Sequence, residues 1–374
     1  MKIFIIISSL SSGGAERVTA TLANAWANRG WDVTVTTFAS ADLDFYPLNE
    51  PVHRIALDLA GDSINFFQGL RANLCRLVSL RRVLREKQPD IVLGMMATAS
   101  VLGSLASIGL SCHVFVSERI HPPRLPIGKI WSFLRRRAYP LTTRVIALTQ
   151  ESAQWLKTHV PGCRVAIIPN PVVFPLPLVE PVLDPQEIVP KKQRLLLAVG
   201  RLAEQKSFDL LIESFVPIAA KHPDWILVIL GEGPKRLMLE ALVRSLELNH
   251  RVKLPGRAGN VRDWYHRADL YVMSSLFEGF PNTLVEAMAH GCPAVSFDCD
   301  TGPRDIIRHK IDGLLVPVGD TPALTEALDQ LIGDIDLRIR YGARAADARE
   351  RFSLDRILTL WDHLFEEVAS ESKE

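Results

Sequence analysis

Two glutamates eight residues apart, Glu278 and Glu286, bracket a helix start in the stretch Phe277 to Val295, FEGFPNTLVEAMAHGCPAV. Pro281 suits the first helical position, where its missing N–H is not needed, and Gly291 closes a helix of about ten residues before Cys292 to Phe297 continues as a buried strand. Amide N–H groups near Asn282 and Thr283, at the positive end of the helix dipole, can hold a phosphate. Glu286, four residues after Asn282, shares that face one turn deeper and can accept hydrogen bonds from sugar hydroxyls. Glu278 then hangs at the mouth, where a second hydroxyl-bearing ring can sit. Taken alone, the same spacing also fits two solvated carboxylates, one on a helix face and one in a loop.

A second set of residues is cationic. Arg201 and Lys206 both follow a strand end and can converge on one dianion, arginine through its planar fork and lysine as a movable point charge. A departing nucleoside diphosphate accumulates negative charge that two fixed cations stabilise as it develops. Ser12 to Glu16 supplies the glycine pair Gly13 and Gly14 directly before a helix, which permits close backbone approach by a phosphate or sugar, or makes a purely structural turn. Gly231, Glu232 and Gly233 follow a strand and open a helix, but position 236 is Arg236, so the G-x-G-x-x-G dinucleotide pattern is incomplete and a nicotinamide site is disfavoured. Asp298, Cys299 and Asp300 form a D-x-D, a pattern common by chance, and the adjoining TGPRD offers the backbone amide of Gly302 and Arg304 to a ligand. Glu118, Arg119 and His121 follow another strand, and a histidine before two prolines serves equally well as a structural residue.

These residues need a frame. KIFIIIS, WDVTVTTF, DIVLGM, CHVFVS, RVIALT and RVAIIP are short apolar runs separated by helix-length segments, and RLLLAVG, WILVILG, RVKLPG, LYVMSS and PAVSFD repeat the scheme. That alternation predicts two α/β domains with parallel sheets covered on both faces. A chain of 374 residues exceeds one compact core. The expected layout is a first Rossmann-like domain over 1–175, a proline-rich linker over 176–192 and a second Rossmann-like domain over 193–352. A final helix over 353–370 carries Ile357, Leu360, Trp361 and Leu364 at helical spacing. In such sheets ligands bind beyond the carboxyl ends of the strands, which is where the motifs fall.

The pattern E-G-F-P-N-T-L-V-E-A-M-A-x-G-x-P resembles the paired-glutamate motif of the retaining glycosyltransferases of family 4, which have the two-domain GT-B fold. Further matches fall in the family's order: SSLSSGGAERV at 8 to 18, AVGRLAEQKSFDLLIESF at 198 to 215, VILGEGPKR at 228 to 236 and DCDTGPRDII at 298 to 307. The resemblance spans nearly the whole chain. It implies that Arg201 and Lys206 meet the donor diphosphate, with Gly14 beside it and near the attacking hydroxyl. Gly231 and Gly233 would line the nucleoside pocket, with Arg257 near the base. Glu278, Gly279, Phe280, Pro281, Asn282, Thr283 and Glu286 would hold the rest of the donor. Glu118 is the nearest match to a catalytic group on the acceptor side, followed by Arg119 and His121. Two departures stand out: Ser207 and Asp305 replace the glycine and glutamate more usual in the family. The implied reaction is front-face transfer of a hexose or N-acetylhexosamine from a UDP-sugar, a substrate rather than a cofactor, with no metal. The implied acceptor is a glycan, polyprenyl-linked as in bacterial surface polysaccharide assembly. An epimerase or hydrolase of the same fold and a non-catalytic nucleotide-sugar binding protein are the alternatives.

Bulk properties restrict the partners. Lys+Arg 43 against Asp+Glu 42 gives a net charge of +1, so no global field draws the chain to nucleic acid. Five cysteines without C-x-x-C spacing predict a reducing, cytoplasmic setting with neither a disulfide frame nor a zinc site. Lys2 and IFIII give way to Ser8 and Ser9 too early for a signal peptide, and read as a first strand. Ile91 to Ser117 lacks charged residues and is long enough to span a bilayer, yet divides into a strand at 91–95, a helix near 98–108 and a strand at 112–117. Peripheral contact with an anionic inner membrane face is expected instead. Ile127 to Tyr139 sets Ile127, Ile130, Trp131 and Leu134 at helical spacing beside Lys129, Arg135, Arg136 and Arg137, and a second basic cluster runs from Arg71 to Lys87.

Overall fold

The computed structural model describes residues 1–11, 13–61, 66–124 and 126–371, so Ser12 of the glycine turn lies outside the described residues. Two compact units emerge, one of residues 1–170 with 358–374 and one of residues 171–357.

The first unit is built on seven parallel strands: β1 (Lys2–Ile7), β2 (Asp32–Thr37), β3 (Val52–Ala56), β4 (Ile91–Met95), β5 (His113–Ser117), β6 (Arg144–Ala147) and β7 (Val165–Ile167), ordered β3-β2-β1-β4-β5-β6-β7. The central strand β1, KIFIII, is buried from Ile3 onward, as a run covered on both faces requires. The order in which strands are added across the sheet switches between β1 and β4, which run parallel with Ile3 paired to Ile91. Helices α1 (Gly14–Asn28), α2 (Phe66–Lys87), α3 (Ala97–Ala106), α4 (Gly128–Ala138) and α5 (Gln150–His159) supply the crossovers. Leu80 and Leu84 of α2 meet Ala99, Leu102 and Ala106 of α3 over Phe4, Ile6 and Val92 of the sheet, with Trp131 of α4 at the margin. Trp26 of α1 stacks on Trp31 and receives Trp361 and Phe365 of the C-terminal helix Leu354–Glu371 at 5.8 and 6.1 Å. Fully burying each of these large apolar side chains contributes about 1.5–3 kcal/mol.

The second unit has six parallel strands: β8 (Arg194–Val199), β9 (Trp225–Leu230), β10 (Val252–Gly256), β11 (Leu270–Met273), β12 (Ala294–Phe297) and β13 (Gly313–Val316), ordered β10-β9-β8-β11-β12-β13. Its strand order switches between β8 and β11, which run parallel. The proline-rich segment expected as a linker is part of this unit: Gly259 N donates to Pro181 O at 2.6 Å, and Asn260 exchanges two hydrogen bonds with the Leu183 backbone.

β3 and β13 were not among the sequence-read strands. Both lie at sheet edges, and both are short; β3 carries His53 and Arg54, and the apolar run of β13 is only Leu314 to Val316 after its opening glycine.

Candidate active site

In the second unit three loops at the carboxyl ends of β8, β9 and β11 are bound into one surface. Gly200 N donates to Leu230 O, Leu202 N to Glu232 O and Lys235 N to Leu202 O. A Cβ on Gly231, whose φ is +147°, would lie 1.9 Å from Gly200 O, and one on Gly233 would lie 2.3 Å from Leu202 O. The two glycines are therefore required for loop-on-loop packing, whatever else they touch. Arg236, at the position where a dinucleotide motif needs its third glycine, forms paired hydrogen bonds with Glu232 and another with Glu240.

The β8 loop is also tied to the β11 loop. Leu276 N donates to Gln205 O at 2.9 Å, Gln205 Nε2 to Phe277 O at 2.7 Å, and Ser274 Oγ to Lys206 O at 2.8 Å. These bonds bring Lys206 Nζ to within 2.5 Å of Glu278 Oε1. Glu278 is thus buried and ion-paired, where the sequence reading left it at an open mouth. Arg201 is exposed, with no carboxylate partner among the described residues. Ser207 adopts φ +43°, ψ +50°, the left-handed region, which is the physical reason a glycine is usual at this position.

The helix beyond Glu278 runs Asn282–Ala289, eight residues rather than ten. Pro281 is its N-cap rather than its first residue, and a proline has no side-chain group to cap it. Phe280 is buried edge-on against Phe352, so its ring serves the core. Gly302, at φ +99°, lies under this turn: a Cβ there would meet Pro281 Cδ at 2.5 Å, and Thr301 Oγ1 donates to Glu278 O. The Gly302 amide donates to Asp305 Oδ2 at 3.3 Å within its own loop. Asp298 accepts from Arg304 at 2.9 Å, so one arm of the D-x-D and the arginine of TGPRD engage each other. Among the described residues no group of three His, Cys, Asp or Glu side chains is arranged to hold a metal ion.

Glu286 is buried inside the helix, not solvated, and its Oε2 accepts from the Tyr265 hydroxyl at 3.2 Å. Tyr271 O–H donates to Thr283 Oγ1 at 2.9 Å, and burial pushes this phenol well above its ordinary value. His290, at the end of the same helix, bonds the Glu286 carbonyl through Nδ1 at 2.8 Å; since a carbonyl only accepts, Nδ1 carries the proton. Tyr265, Tyr271 and His290 were missed in the sequence, because nothing in their spacing relates them to Glu286. Arg257 is exposed beyond β10, and Gly279 is half-buried.

In the first unit, Glu118, Arg119 and His121 after β5 are buried. Tyr139 O–H donates to Glu118 Oε1 at 2.6 Å and Arg135 Nη1 lies 3.5 Å from the same oxygen. Burial raises the Glu118 carboxyl, against the lowering effects of Arg135 and Tyr139. Arg119 donates to Asn170 Oδ1 at 2.7 Å and to Met95 Sδ at 3.3 Å, and burial brings its guanidinium down to about 9. His121 Nδ1 lies 3.0 Å from Ser152 Oγ of α5. Gly14 is the exposed first residue of α1, and Gly13 precedes it as the N-cap. A Cβ on Gly13 would meet Glu16 Oε2 at 2.2 Å, so the Glu16 side chain folds back over this helix start. Within α4 Arg135 belongs to the Glu118 network and Trp131 and Leu134 pack on an interior cluster, while Lys129, Ile130, Phe133, Arg136 and Arg137 remain exposed.

Comparison with known proteins decides the family. A Glycosyltransferase Family 4 model matches residues 12–173 and a Glycosyl transferases group 1 model matches residues 180–348. The chain belongs to the GT-B glycosyltransferases of family 4.

This glycosyltransferase is 29% identical, over 98% of its length and 99% of the relative's, to a Campylobacter jejuni α-1,4-N-acetyl-D-galactosaminyltransferase named for a diphospho-undecaprenol-linked GalNAc-GalNAc-diNAcBac acceptor. It is also 29% identical over 99% of its length to a Streptomyces coelicolor exopolysaccharide phosphotransferase, of which it spans only 41%. Among solved structures, sucrose-phosphate synthase from Thermosynechococcus elongatus superposes with a TM-score of 0.84 at 18% identity, covering 99% of both chains. Anabaena HepE in complex with UDP superposes with a TM-score of 0.78 at 21% identity, covering 99% of this chain and 100% of that one. Both superpositions concern the fold. Within it, the glycosyltransferase joins in its second unit a lysine-glutamate pair, an exposed arginine and a helix start, a combination that can stabilise charge growing on a leaving diphosphate.

Proposed function

We propose that this glycosyltransferase transfers a hexose or N-acetylhexosamine, with retention, from a UDP-sugar to a polyprenyl-linked glycan in bacterial surface polysaccharide assembly. The observation that carries the reading is the Lys206–Glu278 pair, its carboxylate buried and its ammonium partly exposed, beside the helix start at Pro281 and Asn282. Lys206 and Arg201 meet the diphosphate, the Glu278 and Glu286 carboxylates take sugar hydroxyls, and the leaving phosphate accepts the acceptor's proton at the front face. Glu278, by pairing with Lys206, keeps that cation fixed before the donor arrives. Gly14, Gly231, Gly233, Arg257, Gly279 and Thr283 border the donor, and Glu118, Arg119 and His121 face the acceptor. The name of the Campylobacter relative supports a diphospho-undecaprenol acceptor, and the UDP bound to HepE supports a uridine donor. Such an acceptor places the enzyme at the cytoplasmic face of a membrane. Among the described residues no helix is long and apolar enough to cross one.

Turnover of a UDP-sugar panel with and without a polyprenyl-diphosphate glycan tests the reading. The expected result is acceptor-dependent UDP release and an α-linked product from an α-linked donor by NMR. Inversion of the anomeric centre would refute retention, and equal turnover without acceptor would refute transfer.

A further inference from the structure

Two buried phenols end on the helix Asn282–Ala289. Tyr265, in the helix Val261–Arg267, and Tyr271, in β11, are 1 and 0% exposed. The first donates to Glu286 Oε2 at 3.2 Å and the second to Thr283 Oγ1 at 2.9 Å. Thr283 and Glu286 are three residues apart, so they share one helix face. Packing alone would be served by phenylalanine, which brings no hydroxyl that must be satisfied in the core. The rings hold each other in place: Tyr265 meets Tyr271 at 6.1 Å and His290 at 5.4 Å, and its carbonyl accepts from Cys292 Sγ at 3.0 Å. A phenol oxygen lies on the ring axis, so packing that fixes the ring fixes the hydroxyl as well. Burial above all, aided by Glu286 and Glu278 and opposed by its own bond to Thr283, holds the Tyr271 phenol well above its ordinary value, and its proton stays in place through neutral pH. Since that proton occupies one lone pair of Thr283 Oγ1, the threonine's own hydrogen is left to serve a different acceptor.

We propose that Tyr265 and Tyr271 are positioning residues of the donor site: Tyr265 fixes the Glu286 carboxylate for one donor hydroxyl, and Tyr271 turns the Thr283 hydroxyl so that it donates to a donor phosphate oxygen. This rests on the donor reading of Glu286 and Thr283 above. A side chain that must find its orientation after the donor arrives gives up binding energy to its own ordering, and one held beforehand by a locked ring does not.

Turnover by Tyr265→Phe and Glu286→Gln is measured with the UDP-sugar that the wild type uses and with analogues of it that each lack one hydroxyl. Tyr265→Phe is expected to raise the donor KM about tenfold with kcat within about twofold. The rise should vanish for one analogue, the same one that erases the Glu286→Gln defect. Every analogue is compared with the parent donor on one preparation, so a loss of folded protein cancels. An equal penalty on all analogues, or an unchanged KM in Tyr265→Phe where Glu286→Gln raises it, overturns the role of Tyr265 and leaves the donor reading standing. An unchanged donor KM in Glu286→Gln refutes that reading, and the role of Tyr265 with it. Tyr271→Phe is expected to lower kcat about fivefold and to cause no further loss when added to Thr283→Val. Independent losses in the double variant overturn the role of Tyr271.

Discussion

Lys206 Nζ and Glu278 Oε1 lie 2.5 Å apart, joining two loops whose residues are 72 positions apart in the chain. Glu278 is buried, Lys206 is partly exposed, and each depends on the other. Removing Lys206 leaves the buried Glu278 carboxylate without a counterion, at a cost of at most about 3–5 kcal/mol. Lys206→Ala should therefore lower both the melting temperature and kcat, the latter about a hundredfold if the cation strengthens its hold in the transition state. Adding Glu278→Gln should recover stability without recovering turnover. Recovery of both would make the pair purely structural.

Arg201 offers the cleaner measurement, since it is exposed and carries no ion pair among the described residues. Arg201→Ala should leave thermal stability within about 0.5 kcal/mol of wild type while kcat falls about a hundredfold. Near-normal turnover would remove Arg201 from the diphosphate site.

Gly231→Ala adds a methyl group 1.9 Å from Gly200 O at a φ of +147°. The β8 and β9 loops must then part, at a cost of about 1–3 kcal/mol from overpacking, and the Arg201 and Lys206 loop moves with them. Lower melting temperature together with a higher KM for the donor is expected. An unaffected melting temperature would show that the loops accommodate the methyl group.

His290 makes stability depend on pH. Burial lowers its pKa below 6.5, helped by His266 and Arg349 nearby and opposed by its bond to the Glu286 carbonyl. Its Nε2 is buried without a hydrogen-bond partner, and the rings of Phe174, Tyr265 and His266 surround it. Folding thus favours the neutral ring. The stabilisation is complete above about pH 6.5 and is lost as pH falls through the lower folded-state value. The melting temperature should drop on acidification below that point, and His290→Asn should flatten this part of the profile. Parallel profiles for the two proteins would assign the acid sensitivity to other groups.

Chelation provides a further check. Asp298 is engaged by Arg304, and Arg201, Lys206 and the helix start supply positive charge for the diphosphate. Turnover should be the same in excess EDTA as in Mn²⁺. Activity abolished by EDTA and restored by Mn²⁺ would return Asp298 and Asp300 to the site as ligands.

The sequence by itself determined the alternating strands and helices, the carboxyl-end location of the motifs and the family resemblance of FEGFPNTLVEAMAHG. Those properties are local: an apolar run such as KIFIII, a glycine turn or a proline at a helix start has the same meaning wherever the chain carries it. The tertiary structure decided which charges meet. Glu278 reads as a loop carboxylate until the β8 loop delivers Lys206 from 72 residues away, and Arg135 reads as a membrane-facing cation until α4 turns it onto Glu118. Gly231 and Gly233 read as ligand contacts in one dimension, and the fold adds that they are also the clearance between two loops. Side-chain partners and exposure depend on contacts between distant segments, and a residue's own neighbours in sequence do not encode them.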